Sequence, residues 1–190
     1  MTSVRIIWLM IGVLWMVAEI RLVRKVAKNS QDVIDAERRS QGWLWLSVIC
    51  SISLALLFKS LAWLPIPMEY MSRQWLAITL CATGLALRYW AVVNLGRFFS
   101  THVLIQQQHQ LITDGPYQWI RHPAYTGLLL ALAGAGWAMG DFLALLLLIV
   151  IPFLAFKTRI AMEEKKLIKQ FGQQYLVYLH KTYKLLPPFY

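Results

Sequence analysis

The sequence has few charged residues, and acidic residues are especially scarce. Only 15% of its 190 residues are charged and nine are acidic, whereas 58% are hydrophobic. Soluble domains are typically about 25% charged and about 45–50% apolar. A chain of this size cannot bury such an excess of apolar surface in one core, so the composition excludes a disordered chain and an ordinary soluble domain. It predicts an integral membrane protein.

Glycine, proline and cysteine are also too few to indicate another class of protein. Ten glycines and seven prolines exclude a collagen-like or low-complexity chain. The two cysteines, Cys50 and Cys81, lie within apolar runs, so the sequence predicts no disulfide framework. The net charge of +10 could indicate nucleic-acid binding, but the basic residues lie between apolar runs. Membrane orientation explains that distribution better, and we expect no nucleic-acid partner.

Five apolar runs predict membrane-spanning helices, which need about 20 residues each. The runs cover residues 4–23, 43–64, 74–95, 123–139 and 142–156. The last two are short and are joined by Gly140-Asp141, which predicts a tight helical hairpin. The hairpin could stop partway through the membrane, but two thin spans are favoured. Gly127, Ala131 and Ala135 are spaced four apart, which favours close contact between helices.

The fold class that follows is an all-α integral membrane protein with five transmembrane helices. After Phe156 apolar residues recur at helical spacing, which predicts a cytoplasmic C-terminal amphipathic cap that Gly172 divides into two helices. The chain shows no internal repeat or linker, so we expect one domain over residues 1–190. Its first three spans lie in 1–95, and the loop, hairpin and cap lie in 96–190.

Basic residues are distributed unevenly along the chain. The segments 21–42, 96–124 and 157–190 contain six, two and seven Lys or Arg, whereas the opposite side has only Arg5 and Arg73. Cytoplasmic loops are enriched in Lys and Arg, so fifteen residues against two predict an outside N-terminus and a cytoplasmic C-terminus. Lys59 and Arg88 fall within spans, and we expect their charged ends to extend to the interface.

Two polar clusters lie on the predicted cytoplasmic side. The loop 96–124 contains three of the four histidines: His102, His109 and His122. Arg159 and Glu163 lie four residues apart and therefore on one face of a helix just beyond the fifth span. Because the fourth and fifth spans return to the same side, we expect the two clusters to meet. Residue types alone also fit an interfacial loop and an exposed ion pair worth about 0.3–0.5 kcal/mol.

The histidines do not predict a metal centre. No pair of them has the HxxH or HxxxH spacing found in membrane di-iron enzymes, and four histidines in total are few for such a site.

The two clusters carry a recognisable pattern. GPYQWIRHPAYTG, from Gly115 to Gly127, follows HQLI at 109–112. R-x-x-x-E-E-x-x-L begins at Arg159 and is followed by F-G-x-x-Y-x-x-Y and a late Leu-Pro. In this order, around a helical hairpin, the motifs resemble the isoprenylcysteine carboxyl methyltransferase family over residues 95–187. The loop between His102 and His109 is shorter than in the eukaryotic enzymes, and small prokaryotic relatives share these motifs, so the chain resembles a small, prokaryotic-type member.

The resemblance implies a membrane-embedded enzyme that uses S-adenosylmethionine without a Rossmann domain. It implies that Arg159 faces the methyl acceptor and that Glu163 binds the cofactor. The other positions that match the family's cofactor-binding stretches are His109, Gln110, Leu111, Ile112, Tyr117, His122, Pro123, Ala124 and Tyr125.

The expected reaction is methyl transfer to a membrane-borne lipid or lipidated acceptor, such as the carboxylate of a prenylated cysteine. A carboxylate with a reference pKa near ~4 is ionised at neutral pH, so it needs alignment, desolvation and a charge partner rather than a base. A phospholipid amine, a thiol or a lipid phenol would instead need a base, such as His102 or a tyrosine. A non-catalytic membrane scaffold or transporter, and a reductase related to the sterol reductases, remain as other classes.

Overall fold

The computed structural model describes residues 2–28, 35–96 and 111–187 as a bundle of helices. The helices are α1 (Thr2–Lys28), α2 (Asp35–Leu61), α3 (Tyr70–Leu95), α4 (Pro123–Met139), α5 (Phe142–Phe171) and α6 (Gln173–Lys181), with a 3₁₀ turn at Gly115–Gln118. Within these ranges the only β-structure is two isolated bridges. The predicted all-α class is therefore confirmed.

Four of the helices are long and apolar enough to cross a membrane. The spans are Ser3–Leu22, Gly42–Leu61, Tyr70–Leu95 and Phe142–Phe171. α4 is equally apolar but has 17 residues, which at about 1.5 Å per residue gives about 25 Å. The integral membrane class is confirmed, whereas the fifth crossing stays a prediction.

Two helix ends differ from the sequence prediction. α2 ends at Leu61, before the end of the predicted apolar run at residue 64, because Ala62 adopts a left-handed conformation with a φ of 49°. α5 continues fifteen residues beyond Phe156 as one helix. The added segment is rich in good helix formers, and the first glycine after it, Gly172, ends the helix with a φ of 51°. The predicted division at Gly172 is confirmed.

α3 and α4 approach each other closely through glycine. A Cβ atom at Gly134 of α4 would lie 2.7 Å from backbone atoms of both Ala77 and Cys81 of α3. A Cβ at Gly84 of α3 would lie 2.5 Å from backbone atoms of α4. Small residues at such a contact let helix backbones touch. The small residues of α4 therefore serve mainly its packing on α3, in addition to the hairpin with α5.

α1 is fixed to the bundle largely by polar contacts. The indole Nε1 of Trp8 donates a 2.7 Å hydrogen bond to Gln74 of α3. Near the other end of α1, Glu19 accepts from Nε and Nη2 of Arg88 at 2.6 Å and 2.9 Å. The expectation that Arg88 extends to the interface is wrong, since a parallel two-bond pair with the partly buried carboxylate of Glu19 holds it between the helices.

The α2–α3 connection and the α4–α5 turn lie together. Asp141 is buried and caps α5 by accepting from the backbone N–H of Leu143, while its other oxygen accepts from the N–H of Leu64 at 2.8 Å. The N–H of Ile66 donates to the carbonyl of Gly140 at 2.9 Å. α4 thus runs from the polar loop at its N-terminus to this turn at its C-terminus.

The α3–α4 contact predicts a sharp difference between two glycines. Gly134→Ala places a methyl group against backbone that cannot retreat, so we expect it to lower the stability by about 1–3 kcal/mol. Gly12→Ala is the control, because a Cβ at Gly12 of α1 meets nothing within 4 Å. Thermal unfolding of the two purified variants in the same detergent measures the difference, and equal stability would contradict the close contact.

Candidate active site

The polar residues gather around the N-terminal end of α4. His122 directly precedes α4 with non-helical backbone at a φ of −125° and a ψ of 56°, and Pro123 takes the first helical position, where its missing N–H costs nothing. The segment 119–122 is held by residues near the C-terminus. The N–H of Arg121 donates to the carbonyl of Tyr183 at 2.8 Å, and the N–H of Tyr183 donates to the carbonyl of Trp119 at 2.9 Å. We call residues 182–187 the C-terminal strap.

A cluster of three side chains, the buried Arg159 and the partly buried Tyr125 and Glu163, joins α4 to α5. The Tyr125 hydroxyl donates to Oε1 of Glu163 at 2.7 Å. Nε of Arg159 donates to the Tyr125 hydroxyl at 2.9 Å and to the same Glu163 oxygen at 3.0 Å. The Arg159 side chain is 5% exposed, so this is a buried ion pair and not the exposed pair that residue types alone also allowed.

The next residue along α5, Glu164, is a buried carboxylate. Its Oε1 accepts from Nε of Arg121 at 2.9 Å and lies 3.3 Å from Nε2 of His122. Nζ of Lys184 in the strap is 3.4 Å from its Oε2. One carboxylate therefore contacts basic side chains from the loop before α4 and from the strap.

The His122 imidazole lies between the two carboxylates. Its Nε2 faces Glu164, and its Nδ1 lies 3.7 Å from Oε2 of Glu163. The ring is buried, and its centroid is 6.0 Å from that of Tyr125. Histidine, tyrosine and both carboxylates thus form one continuous polar surface.

Three buried tyrosines surround this surface. The Tyr178 hydroxyl donates to the carbonyl of Tyr117 at 2.6 Å, and the Tyr117 hydroxyl donates to the carbonyl of Ala91 at 3.4 Å. Burial raises the pKa of Tyr117, Tyr175 and Tyr178 far above the ordinary phenol value. These phenols therefore stay neutral and do not serve as bases at neutral pH.

The structure brings together Tyr117, His122, Tyr125, Arg159 and Glu163 of the residues expected from the sequence. Two further expected residues directly follow His122 in the sequence: Pro123 is fully buried and Ala124 is half-buried.

The remaining expected residues lie before the 3₁₀ turn. Leu111 and Ile112 are half-buried there, without a described contact to the cluster. His109 and Gln110, together with His102, lie outside the described residues.

Sequence reasoning assigned no role to Arg121, Glu164 and Lys184. The signal was present for the first two, because Arg121 precedes His122 within the loop motif and Glu164 is the second glutamate of the α5 motif. Lys184 had no such signal, since only folding brings the strap beside the loop.

Comparisons with known proteins agree with this site. A sequence model described as the isoprenylcysteine carboxyl methyltransferase family matches residues 76–169. A probable protein-S-isoprenylcysteine O-methyltransferase of Oryza sativa subsp. indica is 34% identical over 136 residues, which are 70% of this chain and 68% of the rice protein. The protein-S-isoprenylcysteine O-methyltransferase of Schizosaccharomyces pombe is 33% identical over 58% of this chain and 48% of its own length.

A solved structure resembles three quarters of this chain. The eukaryotic intramembrane Ras methyltransferase ICMT superposes with a TM-score of 0.61 and 25% identity, over 75% of this chain and 51% of that chain. The chain thus spans about half the length of the fission yeast protein and of the solved structure, and about two thirds of the rice protein.

Proposed function

The chain belongs to the isoprenylcysteine carboxyl methyltransferase family, and we propose that it transfers a methyl group from S-adenosylmethionine to a membrane-borne carboxylate. The relatives' names indicate the carboxylate of a prenylated cysteine as the acceptor. The observation that carries the proposal is the cluster of the buried Arg159 with Glu163 and Tyr125 beside His122, where the apolar part of α5 passes into its polar part. The proposed catalytic unit is the single domain of residues 1–190.

The hydrogen-bond acceptors of His122 and Glu163 fit a cationic cofactor. Oε1 of Glu163 is occupied by Tyr125 and Arg159, whereas Oε2 turns towards Nδ1 of His122. A carboxylate oxygen and a neutral imidazole nitrogen are both acceptors, so together they can hold an ammonium group. The cofactor supplies a methyl group on a sulfonium, and Glu163 and His122 would bind its amino-acid end. Tyr117, Pro123, Ala124 and Tyr125, with His109 to Ile112, are the further residues proposed for the cofactor pocket.

Arg159 is proposed to hold the acceptor. A carboxylate acceptor is already ionised at neutral pH and needs no base, which fits a site whose described phenols are neutral. A buried guanidinium aligns a carboxylate and removes it from water, and alignment of this kind contributes up to about 7–11 kcal/mol to lowering a barrier. Joining an anion and a cation into neutral products is favoured where water is excluded.

The proposed orientation places this site in the cytoplasm and the N-terminus outside, with α4 as a fifth crossing. The charge distribution supports the orientation. The pairing of residues 64–66 with 140–142 supports the crossing, because it sets the far end of α4 beside the connection between two long spans. The segment from α6 to the strap is proposed to cap the cofactor.

The orientation predicts opposite signals from two fusions. A reporter that is active only in the cytoplasm should be silent when fused after Tyr70 and active when fused after Tyr190. An active fusion at Tyr70 would put the α2–α3 connection inside and would reverse the proposed topology.

The cofactor role predicts a loss of affinity in Glu163→Gln. Removing the charged partner of an ammonium should weaken S-adenosylhomocysteine binding by about 1–3 kcal/mol. Calorimetry of the detergent-purified protein measures the change. Asp114→Asn is the matched control, because it removes an exposed carboxylate that precedes the 3₁₀ turn but makes no capping hydrogen bond to it. Unchanged affinity in Glu163→Gln would remove Glu163 from the cofactor site.

The acceptor role predicts a different result for Arg159→Lys. A lysine keeps the charge but cannot offer two parallel donors. The activation barrier should therefore rise by about 2–5 kcal/mol, which slows turnover, while cofactor affinity stays nearly constant. The assay is methyl transfer to a farnesylated cysteine analogue, with calorimetry in parallel. Arg5→Lys, at an exposed position near the N-terminus, is the control.

Two outcomes would contradict this assignment. Joint loss of cofactor binding and turnover in Arg159→Lys would place Arg159 at the cofactor. Full activity would show that the acceptor is not a carboxylate, in favour of an amine, thiol or phenol.

A further inference from the structure

We propose that Glu164 is a positioning residue that fixes the His122 imidazole and the C-terminal strap together. The inference rests on the proposed function, because His122 is assigned there to the cofactor. Glu164 itself lies behind the ring, on the side away from Glu163. It acts on the cofactor only through His122.

The contacts of Glu164 all lead to groups that are far away in sequence. Its Oε1 contacts Arg121 at 2.9 Å and His122 at 3.3 Å, and its Oε2 contacts Lys184 at 3.4 Å. A buried carboxylate with several charged partners is held far more tightly than an exposed ion pair. Removing it would leave basic groups buried without their anion, so its partners would separate.

The contact with Glu164 selects the tautomer of His122. A carboxylate only accepts hydrogen bonds, so Nε2 of His122 must be the donor. In a neutral ring Nδ1 then carries the lone pair, and Nδ1 is the nitrogen that faces Glu163. The orientation of the acceptor proposed for the cofactor is therefore set from behind by Glu164.

The same residues fix the strap. Arg121, held by Glu164, also donates through Nη1 to the carbonyls of Leu179 and Thr182. The N–H of His122 donates to the carbonyl of Lys184 at 3.2 Å. Beyond Lys184, Leu185 is fully buried, and its carbonyl accepts from Thr126 at 2.7 Å. Opening of the strap and release of the imidazole should therefore occur together.

Neighbouring positions on α5 thus have different tasks. Successive side chains of a helix point about 100° apart. Glu163 faces Tyr125 and Arg159, whereas Glu164 faces Arg121 and the strap. We expect Glu164 to control how well the site is formed before the cofactor binds.

The first measurement is the ring signal of His122 in protein with ¹⁵N-labelled histidine. The wild type should show one histidine held as the Nε2–H tautomer, and His122→Asn assigns it. Glu164→Leu has similar volume and no acceptor, so the signal should change to a mixture of tautomers. Asp114→Asn should leave it unchanged. A signal that stays fixed in Glu164→Leu would overturn the proposal.

The second measurement is cleavage by trypsin after Lys184, followed by the mass of the 1–184 product. Burial of Leu185 should protect this bond in the wild type, and Glu164→Leu should be cleaved faster by about tenfold, corresponding to about 1.4 kcal/mol of lost strap closure. In Glu164→Leu, which removes both the acceptor and the charge, a change in only one of the two measurements would overturn the coupling between ring and strap.

Glu164→Gln provides a second variant if Glu164→Leu does not fold. Its amide oxygen still accepts from Nε2, so the His122 signal should be retained, whereas loss of the negative charge near Arg121 and Lys184 should still speed the cleavage. Wild-type cleavage in Glu164→Gln would contradict the role of the charge.

Cofactor binding connects this role to the reaction. In Glu164→Leu the Kd for S-adenosylhomocysteine should rise by about tenfold, and the KM for S-adenosylmethionine should rise more than kcat falls. A wild type that binds no S-adenosylhomocysteine would refute the proposed function but not the role of Glu164. The ring and cleavage measurements need no cofactor and would still decide the role of Glu164.

Discussion

The direct contact between the backbones of α3 and α4 is the constraint on which the site depends. Gly127 is part of this contact, and a Cβ there would lie 2.5 Å from the carbonyl oxygen of Gly84. Gly127 is also less than two turns from His122, so the contact fixes the N-terminal end of α4 and the residues that precede it. The 3₁₀ turn is also fixed on α3. Gly115, with a φ of 60°, lies so close to Asn94 of α3 that a Cβ on Gly115 would be 2.5 Å from the Asn94 side chain. Lipid offers no hydrophobic force between helices, so backbone packing of this kind supplies the order instead.

The scarcity of acidic residues makes each buried one informative. Among the acidic side chains that the structure describes, four contact groups on other elements: the buried Asp141 and Glu164 and the partly buried Glu19 and Glu163. A charge removed from water is costly unless it is paired and hydrogen-bonded, and each of these carboxylates has such partners. Glu19 attaches α1, Asp141 closes the end of the bundle away from the site, and the two glutamates of α5 organise the site itself. Polar contacts therefore determine the arrangement of elements that apolar surface alone would leave free to slide.

The apolar runs and the motifs predicted the helices and most of the site, because both depend on local sequence. α4 began and ended where Pro123 and Met139 predicted, and His122, Tyr125, Arg159 and Glu163 did come together. The remaining features depend on which helices are neighbours, which hydropathy does not encode. Arg88 therefore lacked a predicted partner in α1, and the small residues of α4 predicted a close helix contact without indicating that α3 is the main partner. The length of α5 was missed because its last half has a polar pattern that resembles a separate surface helix.

That length matters for the chemistry. Because α5 continues to Phe171 as one helix, with Pro152 inside it, the same helix carries apolar side chains into the bilayer region and then presents Arg159, Glu163 and Glu164 in succession. A break after Phe156 would have placed these residues on an independently mobile segment, and the distances between them and α4 would have varied with it. Because the helix is continuous, its packing against α4 also positions the site residues. The Tyr125 and Phe156 rings, whose centroids are 5.0 Å apart, are part of this packing. A buried arginine and two differently directed carboxylates can thus be held at fixed distances where lipid gives way to water, which is where a lipid-bound acceptor and a polar cofactor can meet.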